Sequence, residues 1–277
     1  MDRRRFLASV SASVPLALAG CMGGQDDGDE SSTTTDEPTD TTESTDTTTT
    51  DDGPLAFGDE VSLSGDRALS VENADSTAFV VSADGSGRTV HSGNTTRYTL
   101  VTFQVDAIDD YETFVGENVT LTVNDQTYDS PVFPLGGGFN QFTAAYPVPN
   151  DVTPYTASVD LDTGDTTATW EFSARDVETI TQDVEYSVTD VAAPDAVASE
   201  GSFSVDVTVD NAGDAMTFVT KVLGTAGAPT RTSFDIAAGT EKTVTVDATA
   251  PAAGDASEFE MELDWGADAA TRTIAFE

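Results

Sequence analysis

Cysteine, histidine and lysine are scarce in this sequence, and each scarcity excludes a class of site. The 277 residues include one Cys, one His and two Lys. A lone cysteine, Cys21, cannot form an intramolecular disulfide. Blue-copper and zinc sites need several Cys or His ligands, so neither can be assembled. Hydrolases with a Ser or Cys nucleophile need a neighbouring His, and we expect His91, in the polar stretch 89–94, to be an exposed loop residue.

Basic residues are few, and the acidic excess limits the class of partner. Fifty acidic residues against 11 basic ones give a net charge of −39. Such a chain repels nucleic acid and anionic lipid surfaces, so neither is an expected partner. Self-repulsion destabilises a compact state at ordinary ionic strength, whereas molar salt shortens the Debye length to about 3 Å and screens it. The composition resembles that of proteins from extremely halophilic archaea.

The first residues combine positive charge with a short apolar run. Arg3, Arg4 and Arg5 precede an apolar segment at 6–19, which is shorter than the roughly 20 residues of a membrane-spanning helix. This order is typical of a signal peptide. Arg3 and Arg4, followed by Phe6 and Leu7, resemble the twin-arginine export motif, which implies export of the folded protein.

The apolar run ends in the only cysteine of the chain. Leu18-Ala19-Gly20-Cys21 resembles a lipobox, in which the cysteine is lipidated and becomes the new N-terminus. A diacylglyceryl anchor has two acyl chains, which suffice for stable membrane attachment. We therefore predict a signal peptide with lipobox at 1–21 and a protein attached by Cys21 to the extracellular face of the cell membrane.

The next segment, 22–53, is dominated by Asp, Glu, Ser, Thr and Gly. It has too few apolar side chains to offset the entropy of ordering, so we predict a disordered acidic Ser/Thr-rich linker. Its charges favour an extended chain, and the same composition occurs in O-glycosylated stalks. A spacer of this kind holds folded domains away from the membrane.

Period-two alternation begins after the linker and predicts a first β-sandwich over 54–177. Strong strand patterns occupy 101–107, 119–123, 155–161 and 168–172, with weaker ones at 61–63, 69–72 and 78–82. Asn124-Asp125 predicts a hairpin turn before a strand at 126–128. No segment has a helical pattern. The stretches 97–105 and 145–149 resemble the DUF4352-type sandwich of secreted lipoproteins, although the usual Asn is missing at 107–109.

A second β-sandwich is predicted over 178–277, from seven short alternating strands of immunoglobulin-like pattern. The strands are 184–189, 203–209, 216–223, 232–236, 244–248, 259–265 and 271–276. The strand at 201–209, the turn Asn211-Ala212-Gly213 and the segment 236–244 resemble a CARDB domain. That resemblance implies a structural module of cell-surface and adhesion proteins. The expected fold is thus all-β, with two tandem β-sandwich domains after the signal peptide and linker.

The remaining candidate sites are weak, and we expect no metal and no cofactor. A calcium site remains an open alternative at the pairs Asp109-Asp110, Asp160-x-Asp162 and Asp183-x-Glu185. Close carboxylates are, however, expected by chance in an acidic chain. For the same reason, a pair of carboxylates does not indicate a glycosidase. Gly136-Gly137-Gly138-Phe139 predicts a loop. Asn94 and Asn118 begin N-glycosylation sequons.

These features predict a membrane-anchored extracellular lipoprotein that is not an enzyme. We expect a role in surface binding, adhesion or envelope structure, with a surface glycan or an envelope protein as partner. A substrate-binding or accessory lipoprotein of a transporter is the first alternative, although large members of that class alternate strands with helices. A secreted hydrolase is the second alternative, which the missing catalytic set disfavours.

Overall fold

The computed structural model describes residues 53–84, 87–138 and 140–277. The predicted signal peptide and the linker up to residue 52 lie outside the described residues. Within these residues the elements are β1 (Glu60–Ser62), β2 (Ala68–Thr77), β3 (Phe79–Asp84), β4 (Gly87–Ser92), β5 (Thr96–Asp106), α1 (Tyr111–Asn118), β6 (Val119–Val123), β7 (Gln126–Tyr128), β8 (Gln141–Pro149), β9 (Ala157–Asp162), β10 (Thr167–Glu171), α2 (Ala174–Thr179), β11 (Tyr186–Ala192), β12 (Ala196–Val197), β13 (Ser202–Asn211), β14 (Met216–Leu223), β15 (Thr230–Ile236), β16 (Thr240–Thr249), β17 (Glu258–Asp264) and β18 (Ala269–Phe276).

The first sandwich consists of two four-stranded antiparallel sheets, in the orders β1-β2-β5-β8 and β10-β9-β6-β7. Alternate side chains of β5 and β6, including Val101, Phe103 and Leu121, are fully buried and pack in one core between the sheets. Trp170 of β10 is fully buried there, and its indole N–H donates to the carbonyl oxygen of Asp59 at 2.9 Å.

The second sandwich has sheets in the orders β11-β13-β16 and β12-β18-β17-β14-β15. Strands β11, β13 and β16 occupy the places of A, B and E in an immunoglobulin domain, and β14, β17 and β18 occupy those of C, F and G. Val205 and Val207 of β13 face Met261 and Leu263 of β17 in a shared core of fully buried side chains. The predicted all-β fold with two β-sandwiches is therefore confirmed.

Most predicted strands are present, with local differences. All seven strands predicted in the second half exist, and the short β12 adds a parallel pairing with β18. Asn124 adopts a positive φ of 55° in the predicted turn between β6 and β7. The strand predicted from Tyr155 begins instead at Ala157, and Tyr155 is 67% exposed, because it lies before the first pairing of β9 with β6.

The prediction that the chain lacks helices is wrong, because side-chain caps stabilise two short ones. Asp110 accepts a hydrogen bond from the backbone N–H of Thr113 at the start of α1, at 3.2 Å. Ser173 and Asp176 form a reciprocal capping box at the start of α2. Both helices are far too short to cross a bilayer, and among the described residues no helix has the length and apolar content of a membrane span.

The β3–β4 hairpin contributes to packing in both halves of the molecule. Phe79 and Val90 are buried in the core of the second sandwich. Val80, on the opposite face of the hairpin, is buried with Tyr98 and Ala145 of the first sandwich. Because Phe79 and Val80 are consecutive in a strand, their side chains point to opposite faces. The hairpin thus joins the two sandwiches.

Candidate functional site

Ser92, at the end of β4, fixes the hairpin against the second sandwich. Its hydroxyl donates to the carbonyl oxygen of Trp265 at 2.5 Å. It also accepts from the Tyr186 hydroxyl and from the backbone N–H of Ala267, each at 2.9 Å. Burial raises the pKa of Tyr186 to about 12, although the hydrogen bond to Ser92 partly opposes the shift. Three bonds at one hydroxyl define the position of the strand end.

Close backbone approach reinforces that contact. A Cβ atom on Gly266, which has φ of +88°, would lie 2.7 Å from the carbonyl oxygen of Val90 and 2.9 Å from the nitrogen of Ser92. The ring of Phe79 also lies 5.2 Å from that of Tyr186 and 5.0 Å from that of Phe218, centroid to centroid. The hairpin therefore holds a defined place on the second sandwich.

A groove with three basic side chains lies where the hairpin meets β14 and β15. We call it the basic groove: it has a volume of about 510 Å³ and is lined by Gly87, Arg88, Thr89, Val90, Lys221, Leu223, Ala228, Pro229 and Arg231. Eight basic residues remain outside Arg3, Arg4 and Arg5, and three of those eight line this groove. The groove therefore contains an unusual share of the few positive charges in this acidic chain.

The sheet register places two of the three basic side chains of the groove, Lys221 and Arg231, next to each other. Lys221 of β14 lies directly opposite Arg231 of β15 on one side and Asp264 of β17 on the other. The Lys221 ammonium forms an ion pair with the Asp264 carboxylate at 2.9 Å. Like charges directly opposite each other destabilise a sheet, and the ion pair with Asp264 offsets this effect for Lys221 but not for Arg231.

A second cavity adjoins the basic groove, and its walls combine apolar and polar side chains. We call it the leucine cavity: it has a volume of about 530 Å³ and is lined by Thr77, Phe79, Val80, Val81, Arg88, Leu100, Pro134, Leu135, Gly136, Thr143 and Arg231. Leu135 is 42% exposed, and Tyr155 is the only other exposed large hydrophobic residue among those described. The backbone N–H of Leu135 donates to the carbonyl oxygen of Val81 at 2.7 Å. This bond holds Leu135, which precedes the predicted glycine loop, beside the hairpin.

Arg88 and Arg231 line both cavities. Both side chains are exposed, and within residues 53–84, 87–138 and 140–277 neither guanidinium forms a hydrogen bond, ion pair or ring contact. Other basic residues do have partners: Arg67 donates to Ser64 and Arg272 donates to the carbonyl oxygen of Val191. Two unpaired arginines between two cavities can accept an anionic group, because a guanidinium matches carboxylate and phosphate geometry.

His91 is not the exposed loop residue that the sequence predicts. It lies in β4, is half-buried, and its Nε2 is 2.7 Å from the hydroxyl oxygen of Ser82. The polar sequence around it conceals a strand, because the other face of that strand carries the buried Val90. Ser82 and His91 resemble a nucleophile and its base, but neither lines the basic groove, the leucine cavity or three further cavities among the described residues.

The sequon asparagines occupy different environments. Asn94 is exposed in the turn between β4 and β5. Asn118 is half-buried as the last residue of α1, and its side-chain amide donates to the carbonyl oxygen of Phe114 at 2.8 Å. Asn94 is thus the more accessible acceptor. The predicted lipidation and export residues, Cys21, Arg3, Arg4, Phe6 and Leu7, lie outside the described residues.

In each carboxylate pair considered for calcium, at least one member accepts a hydrogen bond within the fold, as Asp110 does at the start of α1. Asp160 accepts hydrogen bonds from Thr122, Ser158 and Thr169, at 2.9, 3.1 and 2.8 Å. Asp183 accepts from the side-chain amide of Asn150 at 2.8 Å. Over the described ranges, no three acidic, His or Cys side chains come together in a way that could hold a metal ion.

Comparisons with known proteins give only distant similarity. No protein family matches the chain, and no curated protein matches it. A β-glucosidase from Kluyveromyces marxianus is similar with a TM-score of 0.23 and 18% identity, over 34% of this chain and 14% of the enzyme. The I9–I11 tandem from titin is similar with a TM-score of 0.26 and 14% identity, over 75% of this chain and 65% of the tandem. Similarity at this level identifies neither a family nor a function.

Proposed function

We propose that this chain is a lipid-anchored, non-enzymatic binding protein on the extracellular face of the cell membrane. Its location is supported by the resemblance of Arg3, Arg4, Phe6 and Leu7 to an export motif and of 18–21 to a lipobox. The linker 22–53 would hold the two sandwiches away from the membrane, and the acidic surface would keep them soluble at high salt.

One observation carries the binding role. Arg88 and Arg231 are exposed and unpaired among the described residues, yet they sit between two cavities of about 510 and 530 Å³. Cavities of roughly 300–1,000 Å³ are typical of sites for small ligands. Arg175 is equally exposed and unpaired among the described residues but lines neither cavity, so it is the position of Arg88 and Arg231 beside two cavities that favours a ligand site.

Binding is better supported than catalysis. The Ser82–His91 contact of 2.7 Å would need access for a substrate, and neither side chain lines the two cavities beside the arginines. Among the described residues that line the basic groove, Thr89 alone carries a hydroxyl group. A role as an accessory lipoprotein of a transporter also fits a small-ligand site, and the identity of the ligand separates the two roles.

Membrane attachment is tested by the variant Cys21→Ser. It removes the only thiol that could carry the lipid, so the protein should move from the membrane fraction to the medium. Arg3→Lys combined with Arg4→Lys is the matched test of export, and it should retain the folded chain inside the cell. Continued membrane retention of the Cys21→Ser variant would refute the anchor without affecting the proposed binding site.

The binding role is tested by capture from envelope extracts at high salt. The full-length protein should recover a ligand that the Arg88→Gln, Arg231→Gln double variant does not recover. Arg175→Gln is a suitable control, because Arg175 is also exposed and unpaired but lies on α2, away from both cavities. Equal recovery by all three proteins would contradict a binding role for this groove.

A further inference from the structure

We infer that the basic groove and the leucine cavity form one site for an organic anion with an aliphatic body, such as a fatty carboxylate or an alkyl phosphate. The inference deepens the proposed function and rests on it, because it names the ligand class of the same site. The anionic group of the ligand would lie at Arg88 and Arg231, which line both cavities. The aliphatic body of the ligand would extend into the leucine cavity.

The charge of the site calls for an anion. Lys221 is already paired with Asp264 at 2.9 Å, whereas Arg231 beside it has no partner among the described residues. An anionic group bound at Arg231 and Arg88 would relieve the cross-strand repulsion between Lys221 and Arg231. Arginine binds carboxylate and phosphate groups through two parallel hydrogen bonds, which also fixes the orientation of the ligand.

The apolar side chains in the leucine cavity favour a ligand with an aliphatic body. Val81, Leu100, Pro134 and Leu135 line the leucine cavity, and Leu135 exposes 42% of its surface. The one aromatic lining residue, Phe79, is only 6% exposed, so its ring is not a stacking surface for a sugar. Removing aliphatic surface from water is the driving force that such walls supply.

The salt dependence follows from these two parts. The net charge of −39 repels an anion at low ionic strength, and molar salt screens that repulsion. Molar salt also weakens the attraction between an exposed arginine and a simple anion. Apolar burial is not screened, so only an anion with its own apolar body gains stable binding at high salt.

The test is calorimetric titration of the full-length Cys21→Ser chain, which needs no detergent that could occupy the leucine cavity. Octyl phosphate and octanoate should bind, and their affinity should hold or increase from low to molar salt. Arg88→Gln and Arg231→Gln should each weaken binding by about tenfold. Leu135→Ser should weaken the binding of octyl phosphate by about fivefold. Inorganic phosphate and glucuronate should bind weakly or not at all.

Two matched controls identify the site. Arg175→Gln removes an exposed, unpaired arginine from α2, and Tyr155→Ser removes the other exposed large hydrophobic side chain. Neither should change the affinity for octyl phosphate. The inference is overturned if octyl phosphate does not bind, if it binds equally to the two arginine variants, or if phosphate or glucuronate binds as tightly.

A binding experiment with lipid vesicles distinguishes a membrane lipid from a ligand that is free in solution. Sedimentation with phosphatidylglycerol vesicles that depends on Arg88 and Arg231 would identify a lipid headgroup as the source. Binding of octyl phosphate without such sedimentation would identify a ligand free in solution. Either result keeps the site, and neither depends on the anchor, because Cys21 is replaced throughout.

Discussion

The two faces of the β3–β4 hairpin meet the two sandwiches by different chemistry. Towards the second sandwich, Phe79 packs on two aromatic rings, and Ser92 makes three hydrogen bonds beside Gly266. Towards the first sandwich, Val80 joins a small apolar cluster with Tyr98 and Ala145, and the carbonyl oxygen of Val81 accepts a hydrogen bond from the backbone N–H of Leu135 at 2.7 Å. Directional bonds specify one position, and the second sandwich supplies more of them, together with the aromatic packing. The hairpin is therefore held most firmly by the sandwich from which it is more distant in sequence.

The strongest test of this difference separates the two halves of the chain. The isolated chain 178–277 would lack Ala78, Phe79 and Val90, which are buried in its core. We expect it to show no cooperative unfolding transition in circular dichroism at high salt, because the vacated space exposes apolar side chains around Phe218.

A peptide covering 78–93 provides the control for this separation. Its addition should restore a cooperative transition by filling the vacated space, whereas a peptide with Ala in place of Phe79 should not. If chain 178–277 alone unfolded cooperatively with the midpoint of the whole protein, the hairpin would not be part of that core.

The second prediction compares neighbouring residues on opposite faces. Phe79→Ala should lower the free energy of unfolding by about 3–5 kcal/mol, since it empties an aromatic site in a core. Val80→Ala should cost only about 1–2 kcal/mol, because two methyl groups are lost from a small cluster. Chemical denaturation at constant high salt measures both. Equal losses would show that the two faces contribute alike.

The third prediction concerns the close approach at Gly266. Gly266→Ala should lower the free energy of unfolding by about 1–3 kcal/mol, because the new Cβ meets backbone atoms of Val90 and Ser92. Gly58→Ala is the matched control: Gly58 has φ of +90°, close to the +88° of Gly266, but a Cβ there meets nothing within 4 Å. The difference between the two variants isolates the steric part, and no difference would argue against a tight hairpin contact.

The sequence allowed the second sandwich to be predicted, because alternation is uninterrupted along 203–209 and 259–265. The role of the hairpin could not be predicted in the same way. Phe79, Val80 and Val81 are consecutive apolar residues, and period two does not say which face meets which sandwich. The spacing of Ser173 and Asp176 is the one local pattern that could have indicated α2, but a helix of six residues has too little periodicity to support it.

The basic groove could be anticipated only in part. Scarcity of basic residues marks each arginine as worth attention, yet Arg88 and Arg231 are far apart in sequence and meet only through the packing of the hairpin on β14 and β15. The apolar wall depends on Leu135, which the glycine loop brings to the hairpin by a backbone hydrogen bond to Val81. Such long-range contacts leave no local pattern.

The last and smallest effect distinguishes the two faces by their response to pH. Burial raises the pKa of Tyr186 to about 12, and it raises the pKa of Tyr98 on the other face by a smaller shift from 10. Because the pKa of Tyr186 is higher in the folded state than in the unfolded state, the neutral phenol contributes fully to the free energy of unfolding below pH 10. This contribution is lost as the pH rises towards 12. Tyr186→Phe should therefore flatten the alkaline fall in the unfolding midpoint more than Tyr98→Phe does.

Neutral pH supplies the control for this comparison. There Tyr186→Phe should still cost about 1 kcal/mol, because the hydrogen bond to the hydroxyl of Ser92 is lost. Tyr98→Phe carries no such loss, as no hydrogen bond of its hydroxyl is present among the described residues. If Tyr98→Phe flattened the alkaline fall as much as Tyr186→Phe, the two faces of the hairpin would be equally buried, and the hydrogen bonds at Ser92 alone would distinguish them.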